Sequence, residues 1–248
     1  MVFRSIVALW ACLSVAGAET AVLMELASGR VVRRAGSDGR AVRPGSVVKP
    51  LVLAVMMDAG VDARKEIGCR RELRLGGHGL NCSHPAAVAR VDGVAAIAFS
   101  CNSYFAERAR GFDGGLLERG LRGFGLRVEA TRSAEERVLQ ALGEERVRAT
   151  PEEVAEAYRR LWQKGRREVF EGMQQAVEVG TAQAAGREFA GGKTGTARAD
   201  AGVSPHGWFA GFVPRESPTH VLVVFVETGR GGVEASAVAA KWWKAWRR

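Results

Sequence analysis

Apolar positions in this chain change their spacing several times, and each change marks an expected element. Residues 20–26 hold enough β-branched and apolar character for a strand, and Ser28-Gly29 turns it into a second strand at Val31-Val32. After Arg43-Pro44-Gly45, the run from Ser46 through Met57 predicts an apolar helix ending near Gly60. Pro50 is tolerated there because the first helical turn has no intrahelical N–H partner to lose. Residues 61–93 are Gly-rich and irregular, with two Cys and two His. Residues 94–110 read as a helix broken by the polar triplet Ser100-Cys101-Asn102. Helical patterns dominate residues 116–163, where Thr150-Pro151-Glu152-Glu153 supplies an N-cap, a proline at the first position and acids in the first turn. Another helix is expected over 168–179, then strands over 192–198, 207–213 and 220–228. A last helix over 233–246 carries a stripe of Ala235, Val238, Trp242 and Trp246.

Two strands, a helical middle, three strands and a final helix predict an α+β fold, an α/β sandwich. Its five-stranded antiparallel sheet is built from both termini with flanking helices, plus an inserted helical lobe. A cleft between sheet and lobe is the expected site. No internal repeat, low-complexity tract or linker interrupts the pattern. The length of 248 residues suits one catalytic unit, and 47% apolar with 25% charged residues excludes disorder, a fibre or a multi-span membrane protein. The longest apolar runs are too short to cross a bilayer.

Charge sharpens the picture. The formal net charge is +9, carried by 30 Arg and only six Lys. Arg4, an apolar stretch over 6–15 and the small-x-small Ala16-Gly17-Ala18 resemble a secretory leader cleaved before Glu19. The alternatives are a buried first strand or an uncleaved anchor. The expected partition is a signal peptide at 1–18 and a catalytic domain at 19–248, secreted or periplasmic. A secreted chain does not meet the genome, so no nucleic acid and no cytosolic partner are expected. The basic balance then suits an anionic cell envelope.

Three short motifs occur in order: Ser46-x-x-Lys49, Ser100-x-Asn102 and Lys193-Thr194-Gly195. Each alone reads equally as a helix cap or a polar loop. Together they fall on a helix start, a break in the helical lobe and a strand, so all three can line one cleft. Residues three apart on a helix share a face, which lets the Lys49 amine reach the Ser46 hydroxyl. A serine hydroxyl needs a base, and a lysine serves as one only when burial or a second cation lowers its pKa. Lys193 is the expected second cation. Arginine does not deprotonate in proteins, so lysine at both positions of an arginine-rich chain is informative. A backbone N–H at a helix start, that of Ser46, is an expected oxyanion donor, and a strand edge can give another. The glycines around Lys193 let a strand edge approach a ligand, though an ordinary hairpin would use them too.

With Arg43-Pro-Gly-Ser-Val-Val-Lys-Pro50, Phe99-Ser-Cys-Asn-Ser-Tyr-Phe105, Gly180-Thr181-Ala182, Gly192-Lys-Thr-Gly-Thr-Ala197 and His206-Gly-Trp-Phe-Ala-Gly211, these motifs resemble the transpeptidase domain of penicillin-binding proteins, in the β-lactamase-like superfamily of serine enzymes. The resemblance runs from about residue 20 to the C-terminus, and the length resembles a bare catalytic domain. It implies Ser46 as nucleophile, Lys49 as its base and Ser100 as proton relay to the leaving group. Asn102 would hold a substrate amide, Lys193 and Thr194 a terminal carboxylate, with Gly195 and Thr196 completing the substrate strand. The implied substrates are D-alanyl-D-alanine stem peptides of peptidoglycan and the β-lactams that imitate them, attacked to give an acyl-enzyme. The implied activity is a D,D-transpeptidase or D,D-carboxypeptidase. Two alternatives remain open: a serine β-lactamase of class D- or A-like type, and a non-catalytic penicillin-binding sensor. No cofactor is expected. Glu136-x-x-Leu139-Gln140 faintly resembles the water-activating loop of class A β-lactamases, although a solvated helix face is the plainer reading.

Cys69, His78, Cys82 and His84 crowd one short segment. They fit no strong zinc-finger spacing, and in an oxidising compartment a Cys69–Cys82 disulfide is the plainer expectation. A metal held by these four residues is the alternative, since some elongation-type penicillin-binding proteins carry a metal near the cleft. Cys101 is expected as a buried small residue and His206 as structural. The Lys- and Trp-rich C-terminus is expected to pack on the sheet; peripheral contact with an anionic membrane is the lesser alternative.

Overall fold

The computed structural model describes residues 19–37, 39–200 and 204–247. The leader expected at 1–18 lies outside them. Strands β1 (Glu19–Glu25) and β2 (Val31–Ala35) come from the start of the chain, and β3 (Gly191–Ala197), β4 (His206–Val213) and β5 (His220–Val226) from its end. They form one antiparallel sheet in the order β2-β1-β5-β4-β3. The two halves meet at β1 and β5, paired from Glu19 opposite Val226 to Glu25 opposite His220. The expected five-stranded sheet built from both termini is borne out.

Why β5 is apolar at nearly every position follows from its surroundings. Val221, Val223 and Phe225 enter one core, while Leu222, Val224 and Val226 enter another on the opposite face. With both faces covered, a strand has no solvent side on which to place polar residues, so alternation disappears. Helix α8 (Ser236–Trp246) covers the second face, where Val238, Trp242, Trp243 and Trp246 pack on the core.

The first face receives the insertion. Helix α1 (Lys49–Asp58) is its axis, buried without a break from Lys49 to Met56, as an apolar-all-round helix must be. Its start differs from expectation: Gly45–Val48 forms a 3-10 turn carrying Ser46, and Lys49 and Pro50 open the α-helix proper. Around it lie α2 (Gly93–Ala98), α3 (Asn102–Arg110), α4 (Gly114–Gly123), α5 (Ala134–Ala141), α6 (Pro151–Lys164) and α7 (Arg167–Glu178). The expectation of helix over 116–163 missed a two-residue ladder between Arg127–Val128 and Val147–Arg148, too short to leave a periodic signal.

Candidate active site

The serine-bearing turn rests directly on β3, an edge strand of the sheet. Contact this close requires glycine: a Cβ on Gly195 would lie 2.6 Å from the Pro44 carbonyl oxygen and 2.9 Å from the Val47 nitrogen. From the lobe, the buried Tyr158 hydroxyl donates a 2.8 Å hydrogen bond to the Val47 carbonyl. The turn is thus gripped from both sides. A cavity of about 270 Å³ opens above it, and Ser46, Ser100, Asn102, Thr194 and Thr196 all line it. Larger hollows of about 560 and 530 Å³ lie elsewhere, yet neither contains any residue of the three motifs. Lys49 and Lys193 lie just beneath the lining, with no solvent exposure.

Lys49 joins the first motif to the second. Its Nζ donates to the Ser100 carbonyl at 2.8 Å, to Ser100 Oγ at 3.3 Å and to Asn102 Oδ1 at 2.5 Å. The expected hydrogen bond to the Ser46 hydroxyl is not among its contacts. Burial lowers its pKa from the ordinary 10.5 to about 8, against smaller opposing effects of Cys101, Cys82 and Glu144. Lys193 donates to the Thr194 carbonyl at 2.9 Å, and its pKa is held well below the usual value by burial and then by the charge of Lys49. Ser100 itself has φ +55°, a left-handed conformation rare for serine. That reversal between α2 and α3 carries its hydroxyl into the cavity while Cys101 turns the other way.

Behind this wall the cysteines converge, and two expectations need correction. Cys69 and Cys82 form no disulfide; both are free thiols, as is Cys101. The cluster that forms is Cys69, Cys82, His84 and Cys101, whose donor atoms lie within 4.8 Å of one another. Cys101, expected only as a buried small residue, joins the cluster among the described residues; the backbone of His78 lies in a two-residue strand, His78–Gly79. Cys101 Sγ is 3.5 Å from Cys69 and 3.7 Å from Cys82, and His84 Nε2 is 3.3 Å from Cys69. His84 Nδ1 faces the Pro85 carbonyl at 3.2 Å, which directs the Nε2 lone pair toward the thiols. Cys82 ionises first, drawn down to about 4 by the hydrogen bond from Cys101, with the Ser103 N–H also donating to it at 3.4 Å. Three soft thiolates and one imidazole are the donor set of a tetrahedral zinc site, so the residues fit such an ion.

The cluster and the cavity share their polypeptide. Along Asn81-Cys82-Ser83-His84 and Ser100-Cys101-Asn102, alternate residues face the cavity and the cluster. Asn102 Nδ2 donates to the Leu80 carbonyl at 2.9 Å, and Arg70 N–H to Ser103 Oγ at 2.9 Å, lacing the segments together. Sequence reasoning missed Asn81 and Ser83, for which this alternation was the available signal. It also missed Arg230, and it quoted Thr181 without giving it a role. Thr194 Oγ1 donates to Thr181 Oγ1 at 2.9 Å.

Other expectations resolve simply. Glu136 pairs with Arg146, and Gln140 is buried with its amide on the Glu129 and Arg146 carbonyls, so neither lines the cavity. His206 is buried against Phe225 with Nδ1 2.7 Å from the Glu227 carbonyl, a structural role.

Residues 166–245 match the family model of the Penicillin binding protein transpeptidase domain. No curated protein matches the sequence. Among solved structures, the fold is similar to that of Pseudomonas aeruginosa PBP2 in complex with WCK 5153, with 19% identity, TM-score 0.78 and coverage of 92% of this chain and 73% of that one. It is similar to the D,D-transpeptidase domain of a peptidoglycan glycosyltransferase from Eggerthella lenta, with 19% identity, TM-score 0.77 and coverage of 92% and 77%. Helicobacter pylori PBP2 gives 17% identity and TM-score 0.77, over 92% of this chain and 60% of that one. The resemblance read from the motifs is borne out, in fold along the described chain and in family over residues 166–245.

Proposed function

From the fold of a penicillin-binding protein transpeptidase domain, and that family's signature over residues 166–245, we propose that this chain is a serine D,D-peptidase acylated by peptidoglycan stem peptides and by β-lactams. The observation that carries the reading is the buried Lys49 amine, bonded to Ser100 and Asn102 beneath a cavity that also holds Ser46, Thr194 and Thr196. Ser46 Oγ attacks the carbonyl carbon of the terminal D-Ala-D-Ala bond or the lactam, and its proton passes to the Lys49 amine. The new C–O bond forms as the carbonyl π pair moves onto oxygen, where the N–H groups of Ser46 and Thr196 receive it. Collapse expels the amine, which takes its proton through Ser100 Oγ, 3.3 Å from Lys49 Nζ. Asn102 and β3 hold the peptide, with Lys193, Thr194 and Gly195 shaping the strand that receives its terminus.

The chain acts outside the cytoplasm, with residues 1–18 as leader and 19–248 as the catalytic domain. A zinc ion held by Cys69, Cys82, His84 and Cys101 would have a structural part, tying the wall that carries Ser100 and Asn102 to the segment that carries Asn81 and Ser83.

A fluorescent penicillin tests the reading. Wild-type protein is expected to carry one covalent label, lost in Ser46→Ala. An adduct that persists for hours, together with release of D-alanine from stem peptides, supports the D,D-peptidase. An adduct that turns over in seconds makes the chain a β-lactamase; a persistent adduct without peptide turnover makes it a sensor. Unlabelled, folded protein removes the acyl-serine reading.

A further inference from the structure

Three thiols stand behind the wall that carries Ser100 and Asn102, and solvent reaches them unequally. Cys82 and Cys101 are buried, whereas Cys69 is partly open. That open thiol lies 3.5 Å from Cys101 Sγ, against 3.7 Å between Cys101 and Cys82. Both ends of the shorter contact are held by backbone. Cys69 N–H donates to the Ala89 carbonyl at 2.8 Å, Arg70 N–H to Ser103 Oγ at 2.9 Å, and Cys101 N–H to the Ala96 carbonyl at 2.9 Å. Cys101 is also the middle residue of the second motif, one peptide from Ser100 and one from Asn102.

A covalent bond between two sulfurs is about 2 Å long, so joining Cys69 to Cys101 draws their segments together by roughly 1.5 Å. Ser100 already holds a left-handed turn, φ +55°, that serine adopts at a cost. The Lys49 amine is tied to the same peptides: Nζ donates to the Ser100 carbonyl at 2.8 Å and to Asn102 Oδ1 at 2.5 Å. Whatever share of the closure falls on Cys101 therefore reaches the amine within one residue. Misplacing a reacting group by about 1 Å costs on the order of 100-fold in rate.

We propose that Cys69 and Cys101 are a reversible oxidation site, joined as a disulfide when a peroxide reaches Cys69, and that this bond switches the serine site off. The Cys69 sulfur attacks one peroxide oxygen, the O–O bond breaks, and a sulfenic acid forms with release of one water. The Cys101 sulfur then attacks that of Cys69. The S–S bond forms, the S–O bond breaks, and the hydroxyl leaves with the Cys101 thiol proton as a second water. The two thiols lose two electrons and the peroxide gains them; a dithiol reductant reverses the bond. A zinc ion held by the cluster would lose two of its ligands in the step. The pair differs from the Cys69–Cys82 bridge expected from the sequence. The oxidation site stands on the cluster alone, while its effect on labelling rests on the acyl-serine reading above.

The experiment exposes the full chain to hydrogen peroxide, with zinc bound and after chelation. It reads disulfide pairing by peptide mass spectrometry without reduction, zinc release with a metallochromic dye, and the rate of labelling by a fluorescent penicillin. Wild type is expected to lose two hydrogens, to show Cys69 and Cys101 in one linked peptide pair, and to label about tenfold or more slowly, with dithiothreitol restoring both thiols and rate. Zinc-loaded protein should release about one zinc per chain as the pair forms. Each variant is compared with its own untreated rate, so a change in starting activity does not enter. Cys69→Ser should keep its rate under peroxide, and Cys82→Ser should still form the pair and slow. A Cys69–Cys82 or Cys82–Cys101 pair, oxidation without pairing, or the mapped pair with labelling unchanged overturns the switch. If Cys69→Ser fails to fold, mapping and labelling of wild type decide alone. Untreated, folded wild type that never labels removes the acyl-serine reading and the coupling with it, while the mapped pair still decides the oxidation site.

Discussion

Two of the six lysines lie without solvent contact under one cavity, in a chain that carries most of its positive charge on arginine. The choice matters because only lysine can shed its proton near neutrality. At an ordinary pKa of 10.5 a vanishing fraction of Lys49 would be free base at pH 7; at about 8 the fraction is roughly one in ten. The sign of the pH effect follows: the group must lose its proton before it can accept one from Ser46. The acylation rate constant should therefore rise nearly tenfold per unit as pH approaches 8, then level off. Lys49→Met should cost about 100-fold or more and remove the pH dependence. A rate flat from pH 6 to 9 in wild type would show that Lys49 is not the base. The missing bond between Lys49 and Ser46 has a local cause: Ser100 and Asn102 present three acceptors to Nζ, and their approach takes its donors.

At the scale of elements, the site depends on how ends and edges are made. The serine turn leans on an edge strand, the second motif sits at a sharp reversal, and the loop between β5 and α8 presses Gly231 against Gly195 of β3. Helix α6 braces the turn through Tyr158, and its own start is secured by a capping box. Thr150 Oγ1 accepts from Glu153 N–H at 3.2 Å, and Glu153 Oε2 accepts from Thr150 N–H at 2.8 Å. Thr150→Ala is expected to cost about 1 kcal/mol, lowering the melting temperature by roughly 2–4 °C with the acylation rate little changed. Calorimetry measures the first and penicillin labelling the second; a large loss of labelling would mean that α6 does more than brace. The cap was readable from Thr150-Pro151-Glu152-Glu153 because such motifs are local. The ladder between Arg127–Val128 and Val147–Arg148 was not, since it forms only when segments separated along the chain meet.

Across the whole molecule, two cores on opposite faces of one sheet explain both its apolar strands and the burial of α1. The lobe adds a third centre, where Cys69, Cys82, His84 and Cys101 draw together three segments, two of which carry cavity residues. Purified protein is expected to hold about one zinc per chain with Cys69, Cys82 and Cys101 unoxidised. Removing it with a strong chelator should lower the melting temperature by roughly 5 °C or more and speed proteolysis within residues 61–103. Metal-free protein in which Cys69 and Cys82 are oxidised to each other would restore the disulfide.

What the amino-acid order determined alone is whatever depends on near neighbours or on composition: strand runs, the capped α6, and three motifs sufficient to mark the family resemblance. Long-range convergence was decided only by the tertiary structure. Cys101 stands in the second motif, far along the chain from Cys69, and no spacing rule joined them. Arg230 lies in a loop without periodicity, and only the close packing of Gly231 on β3 brings its charge to the cavity. The partners of Lys49 likewise follow from where α2 and α3 reverse over α1. A side chain's neighbours in three dimensions are set by packing, and sequence separation does not encode them.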